Sequence, residues 1–159
     1  MVHIRRAFQR DAESIAKLAA QAAAEEGVAS ALDYERVRSH GFGGNALFEA
    51  WVGETRAGKN PVACAVITKS YDIRRAAPTI VLCELYVVPE QRRTGLARRL
   101  MSAVAQRAMD LGARELTITT GVNNAVAQRF FAAVGARPHE AAVFLMPQDG
   151  IQWLATESQ

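Results

Sequence analysis

The chain has 159 residues, half of them hydrophobic, with 19 basic and 16 acidic residues and a net charge of +3. That length supports one core rather than two ordinary domains, and the interspersed charges give neither a basic stripe for nucleic acid nor an acidic tail. Apolar runs broken well short of ~20 residues speak against a membrane span, and Cys64 and Cys83 with the scattered His3, His40 and His139 form neither a disulfide framework nor a zinc signature. The expectation is one metal-free cytoplasmic domain over residues 1–159 with no nucleic-acid or membrane partner, in which only residues 147–159 are left unplaced.

Residues 2–5 have strand composition and lead into a helix in which Ile15, Leu18 and Ala22 recur at helical spacing after Asp11. A second helix is expected from residue 33 to about 39, and residues 41–45, three of them glycine, read as a mobile loop. Residues 48–54 and 61–69 are strand-like on either side of Arg56-Ala57-Gly58-Lys59-Asn60, which has the turn chemistry of an antiparallel hairpin. After a charged turn at 73–78, residues 79–88 are β-rich and mostly apolar, like a strand covered on both faces, and Pro89 ends them.

From Gly95 onward, Leu96, Leu100, Val104, Ala108 and Leu111 mark one face of a helix that Gly112 can close. Leu116 and Ile118 alternate with Thr117 and Thr119 in a further strand. Asn123 or Asn124 can cap a helix carrying Val126, Phe130 and Val134 and ended by Gly135. Residues 142–146 read as a last strand. Antiparallel pairing early and strand-helix-strand units late describe an α+β fold, with a mixed, mostly antiparallel twisted sheet and helices on both faces.

The chemistry is concentrated at Arg92-Arg93-Thr94-Gly95-Leu96-Ala97, between the end of a buried strand and the first turn of a long helix. The free backbone N–H groups of a helix start form an anion site before any side chain is counted. Gly95 and the small Ala97 let an anion approach the backbone, Thr94 offers a hydroxyl, and Arg92, Arg93 and Arg98 offer charge-assisted bonds. A phosphate fits this pattern. No Gly-Lys-Ser/Thr follows, and the three-glycine dinucleotide spacing is missing, so ATP and NAD do not.

Arg92, Gly95 and Ala97 meet the pattern Q/R-x-x-G-x-G/A. Glu84-Leu85-Tyr86-Val87-Val88-Pro89-Glu90 precedes it, and Asn124-Ala125-Val126-Ala127-Gln128-Arg129-Phe130-Phe131 with Gly135 comes later. On these residues the sequence resembles the GNAT superfamily of acyl-CoA-dependent N-acyltransferases, and Ile4-Arg5 with Asp11 and Ile15 is similar to that family's first strand and helix. The resemblance extends to about Met146. It implies acetyl-CoA as cosubstrate, its pyrophosphate on residues 92–97 with Arg98. It also implies a pantetheine arm along the backbone of Leu85, Tyr86, Val87 and Val88, in a splay between two parallel strands. Asn124, Phe130 and Phe131 would line the thiol end, and a homodimer is a common state of similar proteins.

An alkylamine with a pKa near ~10.4 is only about one part in a few thousand neutral at pH 7, so it must lose a proton before attacking a thioester. Glu84 is the one charge in an otherwise apolar-rich strand. It reads either as a general base, acting through water, or as a carboxylate paired with an arginine across the sheet. Tyr86 lies on the same strand face and either orients substrate or fills core. Cys83 reads as a small hydrophobe, without a paired base to make it a nucleophile.

One departure from the family concerns Phe131, which stands where many members have a tyrosine credited with protonating the departing thiolate. With a thiol pKa of ~8.5, loss of that donor slows the reaction without forbidding it. Acceptor contacts are expected from Tyr34, Glu35, Phe42, Tyr71 and Asp72. The resemblance to diamine-type members implies a small primary amine attacked directly in a ternary complex. The other readings are a peptide N-terminal or lysine acetyltransferase and a non-catalytic acyl-CoA sensor.

Overall fold

The computed structural model describes residues 1–55 and 60–157, which fall into two compact units, Met1–Gly121 and Val122–Gln159. The first contains β1 (Val2–Arg6), α1 (Ala12–Glu25), α2 (Tyr34–Gly41), β2 (Glu49–Thr55), β3 (Pro61–Asp72), β4 (Ala77–Val87), α3 (Leu96–Asp110) and β5 (Glu115–Ile118). The second contains α4 (Ala125–Ala133) and α5 (Gln148–Glu157). The α+β class and the order of elements through α4 match the sequence reading. Of the expected hairpin turn at residues 56–60, all but Asn60 lies outside the described residues.

In the first unit the strands lie side by side in the order β1-β2-β3-β4-β5, antiparallel except for the parallel pair β4–β5. A parallel pair needs a crossover, and α3 supplies it. Side chains alternate across the sheet. Val52, Cys64, Val66 and Tyr86 join Ile15 and Leu18 of α1 and Val37 of α2 in one buried cluster. Ala63, one residue before Cys64, faces the other way. There a Cβ added at Gly53 would meet the side chains of Val2, Ala63 and Leu96 at 3.2–3.3 Å, so glycine is what lets α3 approach β2. Helices α1 and α3 therefore cover opposite faces.

Helix α3 forms where its apolar residues recur at helical spacing, and it buries Leu96, Leu100, Met101 and Val104. Each such side chain contributes roughly 1.5–3 kcal/mol by leaving water. The helix ends at Gly112, whose φ of 68° lets its N–H turn back to the Met109 carbonyl while Ala113 reaches Ala108. A buried carboxylate also ties it to the sheet. Glu49 of β2 accepts two bonds of 2.8 Å from Arg107 of α3 and lies within 3.3 Å of Arg6 and Lys69.

The start of α1 differs in detail from the sequence reading. Asp11 precedes the helix, yet its carboxylate caps the Phe8 N–H at 2.7 Å and takes two bonds from Arg5. It fastens the chain between β1 and α1 rather than the helix itself. Helix α2 begins one residue later than expected, with Asp33 as its cap accepting from the Arg36 N–H at 2.8 Å.

In the second unit Asn124 caps α4 by accepting from the Ala127 N–H at 3.0 Å, and Gly135 follows the helix in a left-handed conformation. The expected last strand at residues 142–146 is a correction: the segment has no regular structure. Strand composition becomes a strand only where a neighbouring backbone completes the ladder, and none of the described strands pairs with it. The unplaced tail forms α5, whose entry is marked by Pro147 and by the Ile151 N–H bonding back to the Pro147 carbonyl at 3.0 Å.

Candidate functional site

The site begins with an irregularity in β4. Val66 pairs with Glu84 and Ile67 with Leu82, which leaves Cys83 as an extra residue without a partner on β3. Such a bulge bends a strand and ends local pairing. On its other side β4 pairs with β5 only as far as Leu82 and Ile118, so beyond the bulge that edge of β4 carries no ladder. The Val88 N–H bonds to Val62 of β3, and by alternation the Leu85 N–H and the Val87 carbonyl face the open edge. Their recorded partners agree, being side chains: the Glu84 carboxylate on the Leu85 N–H at 3.1 Å and the Arg92 Nε on the Val87 carbonyl at 2.9 Å.

The chain leaves this edge through a short turn, Pro89–Gln91, and enters α3 through residues 92–95. Arg93 has φ 63° and Gly95 has φ 80°. The left-handed conformation costs a residue with a Cβ roughly 1–2 kcal/mol, so Arg93 is held there by its surroundings. Left-handed residues interleaved with ordinary ones turn successive N–H groups toward one concavity, a form that receives anions. Gly95 sits at the N-cap of α3 with no side chain capping the helix, and a Cβ there would project into open space. The cradle is therefore backbone, open on the side a ligand would occupy. Thr94 uses its hydroxyl proton on the Gln91 carbonyl at 2.7 Å, stapling the turn.

Glu84 is part-buried and among the described residues joins no salt bridge. Burial raises its carboxyl above the usual range, and nearby Glu26 adds to the shift, while the Leu85 N–H only partly offsets them. A carboxylate in this environment binds a proton more readily than an exposed one.

Tyr86, two residues on, packs in the cluster under α1, and its phenol donates to Oε1 of Glu25 at 2.8 Å. The same oxygen accepts from Nη2 of Arg92 at 2.6 Å, and the Arg92 guanidinium lies 5.5 Å from the Tyr86 ring centre. Arg92, followed by Tyr86, holds the Glu25 carboxyl below its usual range. Burial, and then Glu25, raise the Tyr86 phenol. Glu25 went unrecognised in the sequence because it is 61 residues from Tyr86 and 67 from Arg92, with no local pattern to mark it.

The cysteines divide. Cys64 is buried, and burial pushes its thiol up to about 12. Cys83 is exposed at the bulge, with its sulfur 3.6 Å from the Thr68 hydroxyl. The expected acceptor contacts also divide. Phe42 packs against the core under α1, and Glu35 pairs with Arg38. Tyr71 and Asp72 belong to β3, not to a loop, opposite Pro78 and Ala77; by strand rise that is about 20 Å along β4 from Glu84. Tyr34 opens α2 and is exposed. The remaining expected residues belong to the second unit: Asn124 is the α4 cap, and Phe130 and Phe131 meet edge to face at 5.3 Å.

The described residues include no group of His, Cys, Asp or Glu able to hold a metal ion and no helix long and apolar enough to cross a membrane. Residues 19–136 match the sequence model of the Acetyltransferase (GNAT) family. Among curated proteins, aminoglycoside N(6')-acetyltransferase type 1 of Salmonella typhimurium is 29% identical over 69 residues, 43% of this chain and 48% of that protein. The match thus spans about half the length of that relative. Among solved structures, a possible acetyltransferase from Clostridium difficile superposes with a TM-score of 0.80 at 19% identity, over 91% of this chain and 96% of that one. An aminoglycoside N-acetyltransferase in complex with CoA gives 0.70 at 19% identity, over 92% and 99%. These two likenesses are of fold.

Proposed function

The chain belongs to the Acetyltransferase (GNAT) family, and from that premise we propose that it transfers an acetyl group from acetyl-CoA to a primary amine of a small molecule by direct attack. The observation that carries this reading is the open edge of β4: the ladder to β5 ends at Leu82, at the Cys83 bulge and immediately before a part-buried carboxylate with no salt-bridge partner among the described residues. The acceptor class rests on the partial sequence likeness to an aminoglycoside acetyltransferase.

The residues present fit a diphosphate. Gly95 leaves open the space a Cβ would fill, the left-handed Arg93 and Gly95 gather backbone N–H groups, and the positive end of the α3 dipole lies at the same place. Leu96, Ala97 and Arg98 supply the first-turn N–H groups, and Arg93 adds an exposed side-chain cation in the same loop. Leu85, Tyr86, Val87 and Val88 would border the arm through their backbone, and Asn124, Phe130 and Phe131 are assigned by family likeness to its thiol end. Bound acetyl-CoA supplies an activated acetyl thioester.

The chain's own work is positioning and proton transfer. Glu84 takes the proton an ammonium must shed, directly or through one water, and its raised pKa brings it nearer the operating pH. Cys64 is too buried and too weakly acidic to carry an acetyl group, and the contacts of the exposed Cys83 sulfur, the Thr68 hydroxyl and the Val81 carbonyl, include no base, which favours direct attack over a covalent relay. The Leu85 N–H, on the open edge, is the backbone donor nearest Glu84.

The test is to incubate the protein with acetyl-CoA and a panel of primary amines, including an aminoglycoside, a diamine and a short peptide, and follow free thiol. Release accelerated by a small amine is expected. Acceleration by the peptide alone would move the acceptor to proteins. Tight CoA binding with no release under any amine would replace the enzyme with a sensor.

A further inference from the structure

Arg92 occupies the arginine position of the phosphate-loop pattern, yet its exposed side chain folds back toward β4 and the end of α1. Nε covers the Val87 carbonyl on the open edge of β4 at 2.9 Å, Nη2 meets Glu25 at 2.6 Å, and the guanidinium plane lies near the Tyr86 ring. Glu25 is the last residue of α1, so one carboxylate oxygen joins the end of α1, the buried face of β4 and the first residue of the loop. The two left-handed positions that shape the cradle, Arg93 and Gly95, follow directly.

We propose that Glu25 is a positioning residue for CoA binding: it acts through Arg92, fixing the entry of the loop so that the backbone N–H groups of residues 93–97 are gathered before the diphosphate arrives. This rests on the reading of the site as an acetyl-CoA site. A flexible arginine loses rotamer freedom when it is fixed, and a cradle formed in advance spares the ligand that cost at binding. Glu25 also offsets the Arg92 charge. The contact holds the loop in place without touching the acetyl group or the amine. Its loss is therefore expected in the affinity for CoA and not in the chemical step.

The experiment is a double-mutant cycle read by calorimetry with CoA itself, on the whole chain: wild type, Glu25→Ala, Arg92→Ala and the double variant, with Glu25→Gln alongside. Glu25→Ala is expected to weaken CoA about tenfold, and Glu25→Gln, which keeps an acceptor oxygen for both partners, to recover most of that loss. In the Arg92→Ala background, Glu25→Ala is expected to cost little more, because the pair acts as one unit. Where turnover is followed, KM for acetyl-CoA rises and kcat holds within about threefold. Equal CoA affinity of Glu25→Ala and wild type, or independent, additive losses in the cycle, overturns the proposal. Failure of the wild type to bind CoA sinks the acetyl-CoA reading instead, so the two failures are distinct.

Discussion

Two glutamates of the central sheet, Glu49 and Glu84, have opposite fates. Glu49 faces α3, accepts a two-bond pairing from Arg107, and has Arg6 and Lys69 beside it. Arg107 foremost, working against burial, holds its carboxyl down at about 2. Glu84 lies on the α1 face beside the open edge, with no salt-bridge partner among the described residues, and burial pushes its carboxyl up. The same side chain is a structural anchor where cations surround it and, in the function proposed above, the proton acceptor where they are withheld. Glu49 thus fastens α3 to one face of the sheet, while Glu84 stands on the face that carries the buried cluster under α1.

The comparison breaks first at Glu84. Glu84→Gln keeps an oxygen for the Leu85 N–H and removes the base, so turnover should fall about 10²–10³-fold with little change in CoA affinity, read by thiol release and calorimetry. Its stability should move the other way. A carboxyl with a raised folded pKa destabilises the fold once pH passes the unfolded value, so near neutrality the amide variant should melt higher than wild type.

Glu49 should show the reverse. Glu49→Ala leaves Arg107 without its buried partner and is expected to cost about 3 kcal/mol in urea unfolding, with turnover per folded molecule little changed. The acid limb follows from the sign of the shift. A folded pKa near 2, below the ordinary 4.5, gives stability that is present above the ordinary value and lost as pH falls from about 4.5 toward 2. Wild type should lose stability over that window, and Glu49→Ala should lose less there.

Smaller effects sharpen the account of the loop between these faces. Gly95→Ala meets no atom within 4 Å but must hold a φ of 80°, at a cost of about 1–2 kcal/mol in stability. Arg93→Gly relieves a left-handed arginine and should stabilise the fold by about 0.5 kcal/mol while weakening CoA binding. Denaturant midpoints and CoA titrations of the two variants check both signs.

Much of this was legible in the sequence because it is local. The spacing of Leu96, Leu100 and Val104 set α3, Gly112 marked its end, and Asn124 was one of two candidate caps for α4. The odd charge of Glu84 in an apolar strand singled out the residue that the structure leaves without a cation. What was not legible depends on distant partners. Residues 142–146 have strand composition, yet they form no regular structure, because a strand depends on a partner backbone that composition does not specify. Tyr86 reads equally as core or substrate contact, because the partner that accepts its hydrogen bond, Glu25 at the end of α1, is 61 residues away. Arg92 read as a phosphate ligand, whereas its side chain is committed to Val87 and Glu25, and no spacing rule could have shown that. The bulge at Cys83 is a property of register, visible only once β3 and β5 stand on either side.

The most direct test of the central claim is the pH profile of amine-dependent thiol release from acetyl-CoA, for wild type and Glu84→Gln. The account predicts a wild-type kcat/KM that rises with pH through an acid limb set above the usual carboxylate range, and a variant that is slow and lacks that limb. A variant that retains both the rate and the limb would contradict Glu84 as the base.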